Sequence, residues 1–152
     1  MFKNDEIRSL WSKTKPNVWE GHYWMVSFSL ENADVVADIV LKALTDNSYY
    51  SMIRDQHEIA FIVHESVWEC HKTEHNHQTE FGPLAGITFD VPLDIEVSGY
   101  LAPMVDGMAK NGISIVPQCS LIYDHIFVSA RDLSAAILII KGIQVRAMGK
   151  EA

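Results

Sequence analysis

The hydrophobic and polar residues of the first half follow three successive patterns. Residues 23–30 alternate with a period of two and carry large apolar side chains on one face, which predicts a half-buried strand. Apolar positions then follow helical spacing over 36–44, which predicts an amphipathic helix. Two short strand-like segments, 49–54 and 58–63, flank a three-residue polar turn and together predict a β-hairpin.

The second half repeats this succession of strand and helix patterns. Its clearest element is a helix that begins near Ser98 and Gly99, carries an apolar stripe at helical spacing and stops at the pair Asn111-Gly112. Pro117 indicates a sheet edge or a bulge, because proline cannot donate to a strand ladder. The predicted elements are, in order, a strand over 84–89, that helix, strands over 113–119 and 124–129, a helix over 131–141 ended by Gly142, and a last strand over 143–148.

Two segments lack any regular pattern. Residues 1–22 contain Pro16, Asn17 and Gly21, which predict an irregular N-terminal lead-in. Residues 64–79 are polar, include four histidines and show no periodicity, so they predict a His-rich loop.

The order of the predicted elements is strand, helix, strand, strand in the first half, and the second half adds a helix and a strand to the same order. This degenerate repeat predicts an α+β fold of the ferredoxin-like (βαββαβ) type, with helices on one face of an antiparallel sheet. We expect two units in tandem that share a core, because each is short. The first unit, 23–78, is degenerate and includes the His-rich loop, and the second, 79–152, is complete.

Composition narrows the functional classes. The 152 residues include 12 Lys and Arg against 20 Asp and Glu, for a net charge of −8. An acidic chain does not favour binding to nucleic-acid phosphates or to an anionic membrane surface, so neither partner is expected. Two cysteines do not form a disulfide framework, and no apolar run reaches the length of a membrane span. The sequence therefore predicts a soluble cytoplasmic domain.

Three stretches together resemble a known family. They are Ser-Met-Ile-Arg-Asp-Gln-His-Glu-Ile (51–59), Pro-Leu-Asp-Ile-Glu-Val-Ser-Gly (92–99) with Asn-Gly-Ile-Ser-Ile (111–115), and Ser-Leu-Ile-Tyr-Asp-His-Ile-Phe-Val (120–128). They resemble the ACT domain, and in particular the small tandem-ACT proteins that include the Castor-type cytosolic arginine sensors and bacterial relatives. The resemblance covers about residues 48–146.

The resemblance implies a regulatory or sensory module, without chemistry or cofactor of its own, that binds a free amino acid. The ligand would lie beside the loop between the first strand and the helix of the domain. A helix N-terminus suits its carboxylate, Gly99 lets it approach the backbone, and Asp124 could pair with its amino group. The residues implied as ligand-binding are Ile95, Glu96, Val97, Ser98, Gly99, Ser120, Leu121 and Asp124.

The alternative hypothesis is a metal-binding protein or a metal-dependent enzyme that uses the His-rich loop. Cys70, His71, His75 and His77 offer sulfur and nitrogen ligands of the kind that suits Zn²⁺. Their spacing matches no structural zinc pattern, so the sequence assigns no metal to them. A structural assembly module without any ligand is a further alternative.

Nucleophilic catalysis has little support, and no catalytic residue is expected. Cys119 belongs to a predicted strand, and free cysteines are among the most buried residues, so we expect it to be buried. Asp124 and His125 are adjacent in a predicted strand and would point to opposite faces.

The last predicted helix is apolar on nearly all sides. Leu138 and Ile139 extend its apolar surface beyond the stripe that would face the core. Because such a helix is usually buried on more than one side, we expect a homodimer or a larger closed assembly, unless the first unit covers this face within one chain. A sensor would also act through an effector protein.

Overall fold

The computed structural model describes residues 2–72, 77 and 79–149. The chain divides into two compact units. Met1–Trp19 and Ala85–Ala152 form one, which we call the terminal unit, and Glu20–Leu84 form the central unit. The elements are α1 (Asp5–Lys13), β1 (Pro16–Val18), β2 (Tyr23–Phe28), α2 (Ala33–Thr45), β3 (Tyr50–Arg54), β4 (Ile59–His64), α3 (Glu65–His71), β5 (Thr79–Phe89), α4 (Ala102–Lys110), β6 (Ile115–Cys119), β7 (Asp124–Ser129) and α5 (Leu133–Ala147).

The central unit is an antiparallel sheet packed against two helices. Its strands lie in the order β3, β4, β2 and the first part of β5. The Asp55 carboxylate accepts the backbone N–H groups of His57 and Glu58, at 2.7 and 3.0 Å, and so fixes the turn between β3 and β4. Helices α2 and α3 bury their apolar faces on this sheet. The core consists of Val26, Phe28, Ile39, Ala43, Ile59, Phe61, Val63, Val67 and Trp68.

The terminal unit combines strands from both ends of the chain. The last residues of β5 pair with β1 on one side, and β7 and β6 continue the sheet on the other. Helices α1, α4 and α5 cover one face of this sheet. The buried residues there include Ile7, Trp11, Ile87, Phe89, Met104, Met108, Ile126, Val128, Ala136, Ile140 and Ile143. Each unit thus has a buried cluster of its own.

The α+β class is confirmed, and so is the predicted hairpin β3–β4; the two strands predicted over 113–119 and 124–129 also pair, as the hairpin β6–β7. Strand β6, which contains Pro117, ends the strand order, as its missing N–H predicted. Helix α4 stops at Asn111, and Gly112 follows with φ +67°. No helix among the described residues is long and apolar enough to cross a membrane.

The prediction of an irregular lead-in over 1–22 is wrong. Helix α1 begins after Asn4, whose side chain accepts the backbone N–H of Ile7 at 2.9 Å. Ile7 and Trp11 lie one turn apart and are both fully buried. The helix is only nine residues long and buries only these two residues. Its apolar pattern is therefore too short to recognise in a segment that also contains Pro16 and Gly21.

Two further predictions are wrong because the burial of apolar side chains outweighs the local signals in the sequence. Within 64–79, expected to be a loop, α3 buries Val67, Trp68 and His71 on one face. The strand expected over 143–148 is instead the end of α5, which buries Ile143 and Ala147. Gly142 does not end this helix: a glycine costs about 1 kcal/mol there, less than the roughly 1.5–3 kcal/mol from burying one isoleucine.

Candidate ligand-binding site

A cavity of about 350 Å³ lies in the terminal unit, between the segment that leads into α4 and the turn that joins β6 to β7. We call it the loop cavity. Its lining comes from two stretches of the chain only. The lining residues are Leu93, Asp94, Ile95, Val97, Gly99, Tyr100, Leu101, Ala102, Cys119, Ser120, Leu121, Ile122, Tyr123 and Asp124.

Backbone hydrogen bonds hold the two stretches together. The N–H of Leu93 donates to the carbonyl of Ile122 at 2.9 Å, which ties the first stretch to the hairpin turn. Within the turn, the N–H of Ser120 donates to the Tyr123 carbonyl, and the N–H of Tyr123 donates to Ser120 Oγ at 3.2 Å. Backbone hydrogen bonds, and not side-chain packing alone, thus hold the cavity wall in place.

Gly99 shapes the entry to α4. Its φ of +93° lies in the region that favours glycine, and a Cβ there would lie 3.4 Å from Lys3 Cδ. The helix itself begins at Ala102, later than the start near Ser98 that the sequence predicted. The first helical N–H, that of Ala102, donates to the carbonyl of Gly99 at 3.3 Å, and Pro103 has none.

Three consecutive N–H groups before the helix have no partner within the described part of the chain. They belong to Gly99, Tyr100 and Leu101, and all three residues line the cavity. Successive backbone N–H groups in a turn form a concavity that favours an anion. The donors available to a carboxylate are therefore these loop N–H groups, rather than the helix N-terminus expected from the sequence.

Tyr100 forms the inner wall of the cavity and is only 3% exposed. Its ring stacks on Trp11, and its hydroxyl lies 2.7 Å from Thr14 Oγ1. Burial raises the pKa of Tyr100, so the phenol stays protonated. Since Thr14 Oγ1 donates to the Leu10 carbonyl at 2.9 Å, the Tyr100 hydroxyl is the donor of the pair.

Acidic groups dominate the charge of the loop cavity. Asp94 and Asp124 are the charged side chains among its described lining residues. The Cys119 thiol hydrogen-bonds to Asp124, and this bond, together with partial desolvation and the carboxylate charge, raises the pKa of Cys119 to about 11. Cys119 itself is exposed, which corrects the prediction that it is buried.

Apolar side chains surround the opening. Ile95 is 81% exposed and Leu121 is 76% exposed, and both line the cavity together with the exposed Ile122. Large apolar residues are seldom exposed side by side without a binding role. The cavity therefore offers carboxylates, N–H groups without a partner among the described residues, and an apolar rim within one small volume.

Six of the eight residues implied by the resemblance line this cavity: Ile95, Val97, Gly99, Ser120, Leu121 and Asp124. Glu96 and Ser98 do not. The backbone N–H of Glu96 donates to Asp94 Oδ1 at 3.0 Å, and Ser98 Oγ accepts from Lys3 Nζ at 3.2 Å.

Several lining residues were missed from the sequence, notably Asp94, Tyr100 and Cys119. Asp94 could have been found, because an aspartate two residues before Glu96 is typical of a turn in which the side chain accepts a backbone N–H. Cys119 faces Asp124 across the β6–β7 ladder, a register that only the hairpin reveals.

The other candidate groups do not come together in the described residues. His71 is buried and its Nδ1 lies 2.8 Å from the Val67 carbonyl, whereas Cys70 is exposed and His77 lies 3.8 Å from Glu80. His75 lies outside the described residues. No group of three metal-ligating side chains occurs among the residues searched, namely 2–72, 77 and 79–149.

Asp124 and His125 separate as predicted for neighbours in a strand. Asp124 lines the cavity, while His125 Nδ1 lies 2.9 Å from Thr88 Oγ1 of β5. The Trp19 indole N–H donates to the same hydroxyl at 2.7 Å. Burial lowers the pKa of His125 and keeps its ring neutral.

Comparison with known proteins identifies the fold. No family model and no curated protein matches the chain. An Agrobacterium tumefaciens protein superposes with a TM-score of 0.68 at 17% identity, over 86% of this chain and 89% of its own. A Vibrio cholerae protein of unknown function, described as a possible transport protein, gives 0.67 at 16% identity, over 92% and 97%.

A third similar structure carries a functional description. The ligand-free regulatory subunit of aspartate kinase from Thermus thermophilus superposes with a TM-score of 0.60 at 12% identity, over 84% of this chain and 95% of its own. A structure described as a putative C-terminal regulatory domain of aspartate kinase from Porphyromonas gingivalis superposes with a TM-score of 0.57 at 9% identity, over 86% of this chain and 96% of its own. At such low identity the likeness defines the fold alone. The chain has an ACT-like α+β fold.

Proposed function

We propose that this protein is a non-catalytic regulatory or sensor protein of ACT type that binds a free amino acid in the loop cavity. The observation that carries the proposal is the composition of that cavity: the Asp124 carboxylate and the N–H groups of Gly99 to Leu101, which lack partners among the described residues, line the same 350 Å³ space. An amino acid carries one group complementary to each. The regulatory role of the aspartate kinase subunit with the same fold agrees with this proposal.

The charges define the orientation and the side-chain class of the ligand. The ammonium group pairs with Asp124 through a charge-assisted bond, and the carboxylate lies on the loop N–H groups. Asp94 is a second carboxylate in the lining, and the described lining residues include no cation. The cavity therefore favours a neutral or basic side chain and disfavours an acidic one.

Features outside the cavity support the rest of the proposal. The order β2-α2-β3-β4 recurs as β5-α4-β6-β7, so we propose two tandem ACT-like units, of which the first is degenerate. Leu138 on α5 is 70% exposed, which favours a homodimer, and signalling then requires an effector protein. Both cysteines are free and exposed, as suits the reducing cytoplasm.

The test is a thermal-shift screen of the twenty free amino acids with a chelator present. A ligand at 100 times its dissociation constant should stabilise the fold by about 2.7 kcal/mol. For a chain of this length that is a melting shift of about 5–10 °C. Asp124→Ala should lose the shift, whereas Asp90→Ala, which removes an exposed carboxylate of the same unit outside the cavity, should keep it.

Two results would overturn the proposal. If no amino acid moves the transition of the wild-type protein, this chain is not an amino-acid sensor despite its fold. If Asp124→Ala responds as the wild type does, the ligand binds elsewhere.

A further inference from the structure

A second cavity of about 470 Å³ lies among the helices of the terminal unit. We call it the helix cavity. Its lining comes from α1, α4, α5 and the residue Phe2, and it shares no residue with the loop cavity. The lining residues are Phe2, Arg8, Pro103, Asp106, Gly107, Lys110, Ile143 and Arg146.

The charge of the helix cavity is opposite to that of the chain. Three of the chain's 12 lysines and arginines, Arg8, Lys110 and Arg146, line it, although the protein has a net charge of −8. They come from three different helices that only the fold brings together. A concentration of positive charge on an acidic protein attracts anions selectively.

The two arginines are available to a ligand. Lys110 Nζ is bound to Asp106 Oδ2 at 2.7 Å, and this bond lowers the pKa of Asp106. Neither Arg8 nor Arg146 forms an ion pair with another described residue. A guanidinium presents paired N–H groups that match the two oxygens of a carboxylate or a phosphate.

The rest of the lining is apolar and closely packed. Phe2, Pro103 and the fully buried Ile143 form the apolar wall, and the Arg8 guanidinium lies 5.9 Å from the centre of the Phe2 ring. Helices α4 and α5 approach so closely at Gly107 that a Cβ there would lie 2.7 Å from Ile139 Cγ2. The part of the wall that α4 and α5 contribute therefore belongs to a firmly packed helix pair.

We propose that the helix cavity is a second ligand site that binds a small organic anion, with its carboxylate or phosphate group on Arg8 and Arg146 and its apolar body against Phe2 and Pro103. This site is independent of the amino-acid site proposed above. The two cavities have opposite charge, so they select different ligands within the same unit.

Phenyl phosphate is the probe, because it joins a phosphate group to an apolar ring. Its binding is followed by calorimetry and by the backbone amide shifts of the full-length protein. We expect saturable binding at one site, with the largest shift changes at Gly107 and Lys110. Inorganic phosphate and benzyl alcohol, which each lack one half of the probe, should bind at least about tenfold more weakly.

Variants locate the site. Arg8→Gln and Arg146→Gln should each weaken phenyl phosphate binding about tenfold, since each removes a charge-assisted contact. The matched control is Arg131→Gln, whose side chain is 86% exposed outside the cavity and which should change the affinity less than about twofold. Asp106→Asn should strengthen binding, because it frees Lys110.

The proposal fails if phenyl phosphate gives no saturable binding. It also fails if Arg131→Gln weakens binding as much as Arg8→Gln, which would show general charge attraction instead of a site. Asp124→Asn should leave phenyl phosphate binding unchanged, so this result is separate from the outcome for the loop cavity.

Discussion

The rings of Trp11 and Tyr100 stack with their centroids 5.1 Å apart and their planes 16° from parallel. The Trp11 indole N–H also donates to the Tyr100 carbonyl at 2.7 Å. Two buried residues separated by 89 positions are thus fixed to each other by a stack and a hydrogen bond. Helix α1 therefore supports the inner wall of the loop cavity, although the N-terminal segment contributes no residue to its lining.

Removing the Tyr100 hydroxyl should destabilise the protein without removing the cavity wall. Tyr100→Phe leaves buried Thr14 without the donor that its hydroxyl accepts, at a cost of about 1–2 kcal/mol in the free energy of unfolding. Chemical denaturation measures this cost. Tyr123→Phe is the control, because the Tyr123 hydroxyl has no hydrogen bond to a described residue, and it should cost less than about 0.5 kcal/mol. Equal losses in both variants would contradict the assigned bond.

The Asp124–Cys119 bond makes the thiol unreactive at neutral pH. Because the pKa of Cys119 is raised from 9.0 to about 11, its thiolate fraction at pH 8 is about a hundredfold lower than for an ordinary thiol. Asp124→Asn removes the negative charge, so Cys119 should react faster with iodoacetamide. The rates are measured in a Cys70→Ser background, since Cys70 is also exposed. An unchanged rate in Asp124→Asn would show that Asp124 does not control the thiol.

Acid should destabilise the protein partly through His125. The pKa of His125 is lowered in the folded state, so below about pH 6.5 the unfolded state binds more protons than the folded state. The free energy of unfolding therefore decreases as the pH is lowered. His125→Asn keeps a polar side chain beside Thr88 but cannot be protonated, so its melting temperature should fall less on acidification. His57→Asn, at an exposed turn, should keep the wild-type slope. If both variants retain that slope, His125 is not the group responsible.

The sequence predicted most elements because their hydrophobic periods are long enough to recognise. Strands β2, β3, β4 and β7 and helices α2 and α4 lie close to the predicted positions. The predictions that failed relied on local signals, and burial of side chains in the folded protein outweighed those signals. Gly142 should have ended α5, yet the spacing of Ala136, Ile140, Ile143 and Ala147 continues past it.

A charged substitution on α5 should test self-association. Leu138 is 70% exposed, so Leu138→Glu should leave the melting temperature of the folded chain nearly unchanged while breaking a homodimer. Light scattering at micromolar concentration should give a dimer mass for the wild type and a monomer mass for the variant. A monomer mass for the wild type would remove the homodimer from the proposal.

Most of the residues that the resemblance implied line the loop cavity, and the limits of that inference have a physical origin. Gly99 and Asp124 could be named because the residues on either side of them follow the family pattern. The donors for a carboxylate could not be assigned from sequence, since they depend on where α4 begins. Its start at Ala102 leaves the N–H groups of Gly99 and Tyr100 without a partner among the described residues. Cys119 and Asp124 meet only through the register of the β6–β7 hairpin.

Calorimetric titration with the amino acid that stabilises the protein most tests the central claim directly. The loop cavity predicts one site per chain, an affinity about tenfold weaker in Asp124→Asn, and an unchanged affinity in Asp90→Asn, because Asp124 lines the cavity and would pair with the ammonium group, whereas Asp90 lies outside it. Binding of equal strength in all three proteins, or no saturable binding by any of the twenty amino acids, would contradict it.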